Sequence, residues 1–240
     1  MHIDTHAHLN FQAFQDDVED VITDCLANNV KMINVGSCIS TSRRAVELAR
    51  PGVWATVGLH PIHISKGEKI TREMVNESVV AIGETGLDYF HKPKTTAKKI
   101  VFKEEQERCF REQIELAISL DLPMILHFRY AHDEMIQVLR DYNVRGVLHC
   151  YTGDMKQAKQ YLEMGLYLGF NGMIFRNSME EIIKYMPGER ILAETDCPYL
   201  HPTGERNTPL FVCQVEEKIR GMRSDVDFTL NACRLFGIRV

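Results

Sequence analysis

The chain has 240 residues, 45% of them hydrophobic, with a formal net charge of −5 and a sequence pI near 6.1. That size allows a large core in one α/β barrel or two small domains, and the acidic balance argues against a broadly basic surface that coats nucleic acid. A local basic patch stays open. The seven cysteines, at 25, 38, 109, 150, 197, 213 and 233, form no C-x-x-C pair, which suits reduced thiols in a cytoplasmic protein. The N-terminus enters an apolar strand at once, without a basic and then apolar leader, and no apolar run approaches the ~20 residues of a membrane helix. The expectation is a soluble, cytoplasmic protein without a membrane partner; no obligate protein partner is evident.

Strand and helix patterns take turns along the chain. HIDTHAHL (2 to 9) reads as a short apolar strand, whose alternation puts Asp4, His6 and His8 on one face. Residues 16 to 29 place Val18, Val21, Ile22, Cys25 and Leu26 at helical spacing. A strand at 32 to 37, a helix at 42 to 50, a strand at 53 to 61 ending in a turn, and a fourth strand at 79 to 88 follow. A long helix is expected from about Glu104 to Leu120, with Phe110, Ile114, Ala117 and Ile118 as its stripe and Glu107–Arg111 as an i,i+4 pair. Strands at 123 to 128, 145 to 150, 166 to 172 and 190 to 196 alternate with helices around 132 to 142, 155 to 164 and 178 to 186. Amphipathic segments at 209 to 220 and 225 to 236 complete the outer layer. Eight such units close most simply as a (β/α)8 TIM-type barrel, a single domain over 1–240. An open doubly wound sheet is the rival, but no G-x-G-x-x-G or G-x-x-x-x-G-K-[ST] follows any strand, which removes support from its nucleotide-binding forms.

Active sites of such barrels lie at the C-terminal ends of the strands. Those ends carry His6 and His8, His60, Glu84, His127, His149 and Asp196. Each has a structural alternative: His149 as a hydrogen-bonded core histidine, Glu84 as a helix cap, Asp196 as a turn former before Cys197-Pro198. Their coincidence at matching strand ends is the informative feature. Burying four histidines and two carboxylates in one barrel mouth is costly unless cations hold them together, and imidazole suits Zn, Mn, Fe and Co.

The stretches IDTHAHL, GLHP, AIGETGLDY, MILHFR, GVLHCYTG and ETDCPYL, in this order, resemble the TatD family of metal-dependent deoxyribonucleases and hydrolases, a branch of the amidohydrolase superfamily. The resemblance runs from residue 3 to the C-terminal NACRLFG. It implies two divalent metal ions (Mg, Mn or Zn), one held by His6, His8, Glu84 and Asp196, the other by Glu84, His127 and His149, with Glu84 bridging. It also implies a deoxyribonuclease acting on DNA, trimming single-stranded or frayed 3′ ends. The chain departs from the family at Tyr130, in R-Y-A where many relatives read R-D-A. It departs again at Ile62, where the usual second histidine after GxHP is displaced to His63.

The chemistry agrees with the residue types. Two divalent ions about 3.5 to 4 Å apart can stabilise the attacking and leaving oxygens of a phosphoester displacement, and coordination brings the pKa of water from about 15.7 towards roughly 7 to 9. Asp196 is the expected group to orient that water and accept its proton, with Glu84 as its catalytic companion. Glu194 and Asp4 are expected to orient ligands from behind. His60 and Arg129 flank the site and can contact a substrate phosphate, or make a loop hydrogen bond and a surface ion pair. The loop after the fourth strand carries Lys92, Lys94, Lys98, Lys99 and Lys103, where a polyanion would approach. Tyr89, Phe90 and Tyr151 could stack an unpaired base, or pack in the core and rim. The alternative activity is hydrolysis of a carboxylic ester, lactone or amide, for example an aminoacyl-tRNA ester, with the same metals. A non-enzymatic metal-binding protein is a third reading.

Overall fold

The computed structural model describes residues 1–64, 68–90 and 93–239. Eight strands pair in chain order, each parallel to the next: β1 His2–Ala7, β2 Val30–Asn34, β3 Val53–Val57, β4 Val79–Asp88, β5 Met124–Arg129, β6 Gly146–Leu148, β7 Tyr167–Phe170 and β8 Ile191–Ala193. The last strand returns to the first. The backbones join through Asp196 N–H to His6 O (2.8 Å) and His8 N–H to Cys197 O (2.9 Å), with a parallel bridge between Ala7 and Cys197. The expected (β/α)8 barrel is the observed architecture.

Around it lie α1 Val18–Ala27, α2 Ile39–Leu48, α3 Thr96–Leu120, α4 His132–Arg140, α5 Met155–Glu163, α6 Glu180–Tyr185, α7 Val212–Met222 and α8 Phe228–Phe236. Among the described residues, β3 and β4 are joined by short 3-10 turns at Pro61–His63 and Arg72–Met74 and by no α-helix. Local chemistry sets the ends. α2 starts before the expected Ser42 because the Thr41 hydroxyl accepts the backbone N–H groups of Ser37 and Cys38 (2.9 Å each). α5 carries a capping box, Asp154 accepting from Gln157 N–H (2.8 Å) and Gln157 from Asp154 N–H (3.0 Å). α8 is capped by Asp227 on Leu230 N–H (2.9 Å) and ends at Gly237, whose φ of 66° is open to glycine without strain.

The core has two parts. Ile3, Ile33, Ala81, Ile125, Val147 and Leu192 fill the barrel interior, and Ala232, Leu235 and Phe236 of α8 pack onto the same cluster. A larger shell, with Phe14, Ile22, Phe110, Ile114, Met135 and Tyr161, lies between strands and helices. Two strands then depart from regular pairing where they reach the mouth. Asp4 pairs with Met32 and Ala7 with Asn34; Ile82 pairs with Met124 and Thr85 with Leu126. Each shift inserts one extra residue, a bulge, which redirects the side chains that follow. Near the second one, a Cβ on Gly58 would stand 2.4 Å from the Gly83 carbonyl carbon, and one on Gly83 (φ 153°) 2.6 Å from Ile125 O. The backbones meet too closely for any other residue.

α3 differs from expectation twice. It begins at Thr96, so Lys98, Lys99 and Lys103 ride on its first turns rather than on a loop; Lys92 lies outside the described residues. The first turns expose most of their side chains, and so show no apolar period to read. Ile118, expected in the stripe, is 48% exposed, while Gln106 and Gln113 are buried with Phe110, Ile114 and Ala117. The glutamines replace apolar residues because they satisfy irregular backbone. Gln113 accepts from Leu59 N–H (2.8 Å) and donates to Leu59 O (3.1 Å) and Thr85 Oγ1 (2.6 Å). Gln106 accepts from Asp88 N–H (2.9 Å) and donates to Asp88 O (3.0 Å) and Pro61 O (3.3 Å). They clamp the ends of β3 and β4 from outside. Gln113→Leu keeps the volume but orphans the Leu59 amide and carbonyl, each costing about 1–3 kcal/mol. The expected loss is about 2–4 kcal/mol, read from the midpoint of urea unfolding at unchanged slope.

Candidate metal centre

The bulge in β4 carries Glu84 into the barrel mouth, where imidazoles surround its carboxylate. Its Oε1 lies 2.8 Å from His127 Nδ1, 2.9 Å from His149 Nε2 and 3.4 Å from His60 Nε2. Its Oε2 lies 3.6 Å from His6 Nε2 and 3.7 Å from His8 Nε2. Asp196, just past β8, completes the second group, with Oδ1 3.3 Å from His8 Nε2 and 3.6 Å from His6 Nε2. All six residues expected as ligands converge, in two groups that share Glu84. Four imidazoles come from three strand ends, β1, β5 and β6, and His60 follows β3.

The donor atoms are set up for cations. His8 Nδ1 lies 2.9 Å from Val35 O; that contact is a hydrogen bond only if Nδ1 carries the proton, which leaves the Nε2 lone pair facing the centre. His6 Nε2 and His8 Nε2 stand 3.1 Å apart, and His127 Nδ1 and His149 Nε2 3.2 Å apart. Nitrogens this close need a proton or a cation between them. Among the described residues, His6 with His8 and Glu84, His6 with His149 and Asp196, and His60 with Glu84 and His127 form groups that could hold a metal ion. Neutral imidazole with carboxylate suits borderline divalent ions.

Electrostatics in the metal-free cluster split the groups. Burial would raise the Glu84 pKa, but His60, His149 and His127 outweigh it and hold the carboxyl well below its usual range. Asp196 follows the same pattern, burial being outweighed first by the His8 hydrogen bond. Burial lowers His6, with His149 adding to it, and lowers His60 strongly, with His127 adding. In His8, His127 and His149 burial is outweighed by carboxylates: Asp196 for His8, Asp88 and Glu84 for His127, Glu84 and Glu194 for His149. These three rise above 6.5.

Of the two residues expected behind the centre, one stands there and one does not. Glu194 stands behind His149, with Oε1 3.7 Å from His149 Nδ1, and accepts from Cys150 N–H (2.6 Å) and Asn171 Nδ2 (3.1 Å). Asp4 does not stand behind His6 and His8. The bulge in β1 breaks the alternation that would have aligned the three, and Asp4 instead accepts from His6 N–H (3.1 Å), Thr195 N–H (2.9 Å) and Thr195 Oγ1 (2.6 Å). It joins β1 to the end of β8. Burial pushes its carboxyl well above the usual range. Asp88 was not singled out in the sequence, yet its Oδ2 lies 3.5 Å from His127 Nε2. Its place at the end of the fourth apolar run, in ETGLDY, is the signal the sequence offers.

An open cleft of about 300 Å³ leads to the centre, bounded by His60, His63, Asp88, Arg129, Phe11 and Tyr199 among others. His60 goes deeper than a rim contact, since it touches Glu84 and accepts from Ile62 N–H (3.1 Å) through Nδ1. His63 returns an imidazole to the cleft beside the displaced Ile62, with its Nδ1 3.3 Å from Ser37 O. Tyr89 and Tyr151 are buried and pack in the core, whereas Phe90 is 49% exposed. Lys103 is engaged with Glu134 (2.8 Å) and over the Tyr89 ring (4.0 Å).

The sequence profile of the family described as TatD related DNase matches residues 3–236. The metal-dependent hydrolase YabD of Bacillus subtilis is 37% identical over 99% of this chain and 100% of its own length. The 3′-5′ ssDNA/RNA exonuclease TatD of Salmonella typhimurium is 33% identical over 92% of this chain and 91% of its own. Among solved structures, the TatD homologue YjjV of Escherichia coli superposes with a TM-score of 0.85 at 26% identity, covering 99% of this chain and 98% of that one. With a buried carboxylate and four imidazoles at the mouth of a (β/α)8 barrel, and relatives matched over nearly their whole length, this chain belongs to the TatD family of metal-dependent hydrolases and deoxyribonucleases.

Proposed function

We propose that the protein is a two-metal phosphodiesterase that shortens DNA from single-stranded or frayed 3′ ends. The observation that carries the reading is the divided Glu84 carboxylate, one oxygen towards His6 and His8 and the other towards His127 and His149. In this reading His6, His8, Glu84 and Asp196 hold one divalent ion (Mg, Mn or Zn), and Glu84, His127 and His149 hold the other. Bound there, the ions supply charge stabilisation to a phosphoryl group and acidify a water. Relatives named for exonuclease action on ssDNA and RNA support the substrate class. The family match over 3–236 supports one hydrolase domain. No helix among the described residues is long and apolar enough to cross a membrane, and all seven cysteines are free thiols, which fits a cytoplasmic setting.

The chain's own groups divide the work. Asp196 is ionised and, at 15% side-chain exposure against 6% for Glu84, is the more open carboxylate. It orients the attacking water and accepts its proton. Arg129, on the cleft wall, pairs with a substrate phosphate by a two-pronged contact, and His63 lines the same cleft. Glu194 keeps the His149 ring in place through the contact behind it.

Two measurements check these roles. End-labelled single-stranded and duplex DNA, incubated with Mg or Mn and with a chelator control, should be shortened only with metal. Asp196→Asn should lower turnover by about 10²- to 10⁴-fold while much of the metal stays bound, and Glu84→Ala should lose metal as well as activity. Retained activity in Asp196→Asn, or two ions still bound in Glu84→Ala, contradicts the assignment. The second measurement is proton release. The carboxylates around His8, His127 and His149 raise their pKa values above 6.5, so on acidification they take up protons that must leave before they can ligate. Metal affinity should therefore rise with pH, and calorimetric titration at pH 7 should give heats that depend on the ionisation enthalpy of the buffer. Identical heats in all buffers would show that metal does not displace those protons.

A further inference from the structure

We infer that Tyr130, backed by Phe90 and Arg129, forms a platform on which the enzyme stacks an unpaired base of its substrate. The inference rests on the nucleic-acid reading above and gives that substrate a specific contact. Tyr130 is 75% exposed and Phe90 49% exposed. Their rings are stacked, with centroids 5.6 Å apart and planes within 19°, and the Arg129 guanidinium lies 3.8 Å from the Phe90 ring centre. Single exposed aromatics are common on any surface; here the largely exposed Tyr130 ring is backed by a stack with Phe90 and Arg129, and a base of any identity has a face that matches it.

The platform is fixed rather than draped on a loop. Asp88 and Arg129 are paired across β4 and β5, and Tyr89 N–H continues the ladder to Arg129 O (2.8 Å). Phe90 N–H is held by Asp88 Oδ1 (2.8 Å). Both rings therefore sit one or two residues past Asp88 and Arg129, which line the cleft to the metal centre. A phosphate held by Arg129 places its neighbouring base over this rim. Tyr130 has a φ of 56°, a left-handed conformation that a bulky side chain adopts only at a cost. The backbone holds an aromatic ring in solvent at that cost, at the position where the chain departs from the R-D-A pattern.

The test separates base stacking from backbone attraction. A short deoxyadenosine strand with phosphorothioate links, which resist hydrolysis, and an abasic strand of equal length and charge are each titrated by fluorescence anisotropy in Mg. The wild-type protein should prefer the base-bearing strand by about 5- to 150-fold, the range for one stacked base. The preference should vanish in Tyr130→Ala, weaken in Phe90→Ala and survive in Tyr130→Phe. Equal affinity of the wild type for both strands, failure to bind either, or a preference that survives Tyr130→Ala overturns the platform. Cleavage of an ordinary phosphodiester strand is measured beside it. Cleavage without base preference removes the platform and keeps the nuclease; base-dependent binding without cleavage keeps the platform and removes the nuclease.

Discussion

One buried carboxylate organises the barrel mouth. Glu84 is almost wholly out of water, and an ionised carboxylate there is tolerable only if opposite charge or strong donors surround it. Five imidazoles do so, from His6 and His8 on one oxygen to His60, His127 and His149 on the other. Four of those rings are at the ends of β1, β5 and β6 and the fifth follows β3, so the carboxylate fixes where these segments meet. With neutral imidazoles the two carboxylates, Glu84 and Asp196, leave the cluster anionic. Divalent ions held between these carboxylates and the imidazoles would offset that charge.

Regular sheet geometry alone would not deliver this arrangement. Strict alternation along β4 would set Glu84 by its neighbours' register, and the extra residue between Ile82 and Thr85 changes that. The bulge needs backbone contact closer than a side chain permits, hence Gly58 and Gly83. It also leaves irregular amides and carbonyls at the ends of β3 and β4, which Gln106 and Gln113 satisfy from α3. A distortion that aims Glu84 is thus paid for by polar residues on the outer helix.

These linked features also explain what a reader of the sequence could and could not see. Short apolar runs and period-3.6 stripes revealed the eight strands and the helix order, because strands buried on both faces read as continuous apolar segments and helices buried on one face leave a repeating trace. The convergence of the six residues expected as ligands was legible because their strand ends share one mouth of a barrel. The path of Asp4 was not, since one extra residue in β1 breaks the alternation on which its placement relied. The buried glutamines of α3 were hidden because a polar residue at a buried position is recognisable only when its backbone partners are known. The stack of Phe90 on Tyr130 joins residues 40 apart through the β4–β5 pairing, a contact that no local pattern encodes.

Barrel closure and chemistry are joined at the β8–β1 seam. Asp4 and Thr195 are hydrogen-bonded across it, Thr5 Oγ1 donates to Ala193 O (3.0 Å), and Asp196 N–H donates to His6 O. The residue that closes the last strand on the first is also the carboxylate that faces His6 and His8. Its φ of 56° directs the side chain to the mouth while its amide stays in the ladder. A shift of β8 against β1 would therefore break ladder hydrogen bonds before it moved Asp196 away from the imidazoles. The site is as rigid as the closure of the barrel, and the hydrogen bonds that complete the fold are those that place the proposed base.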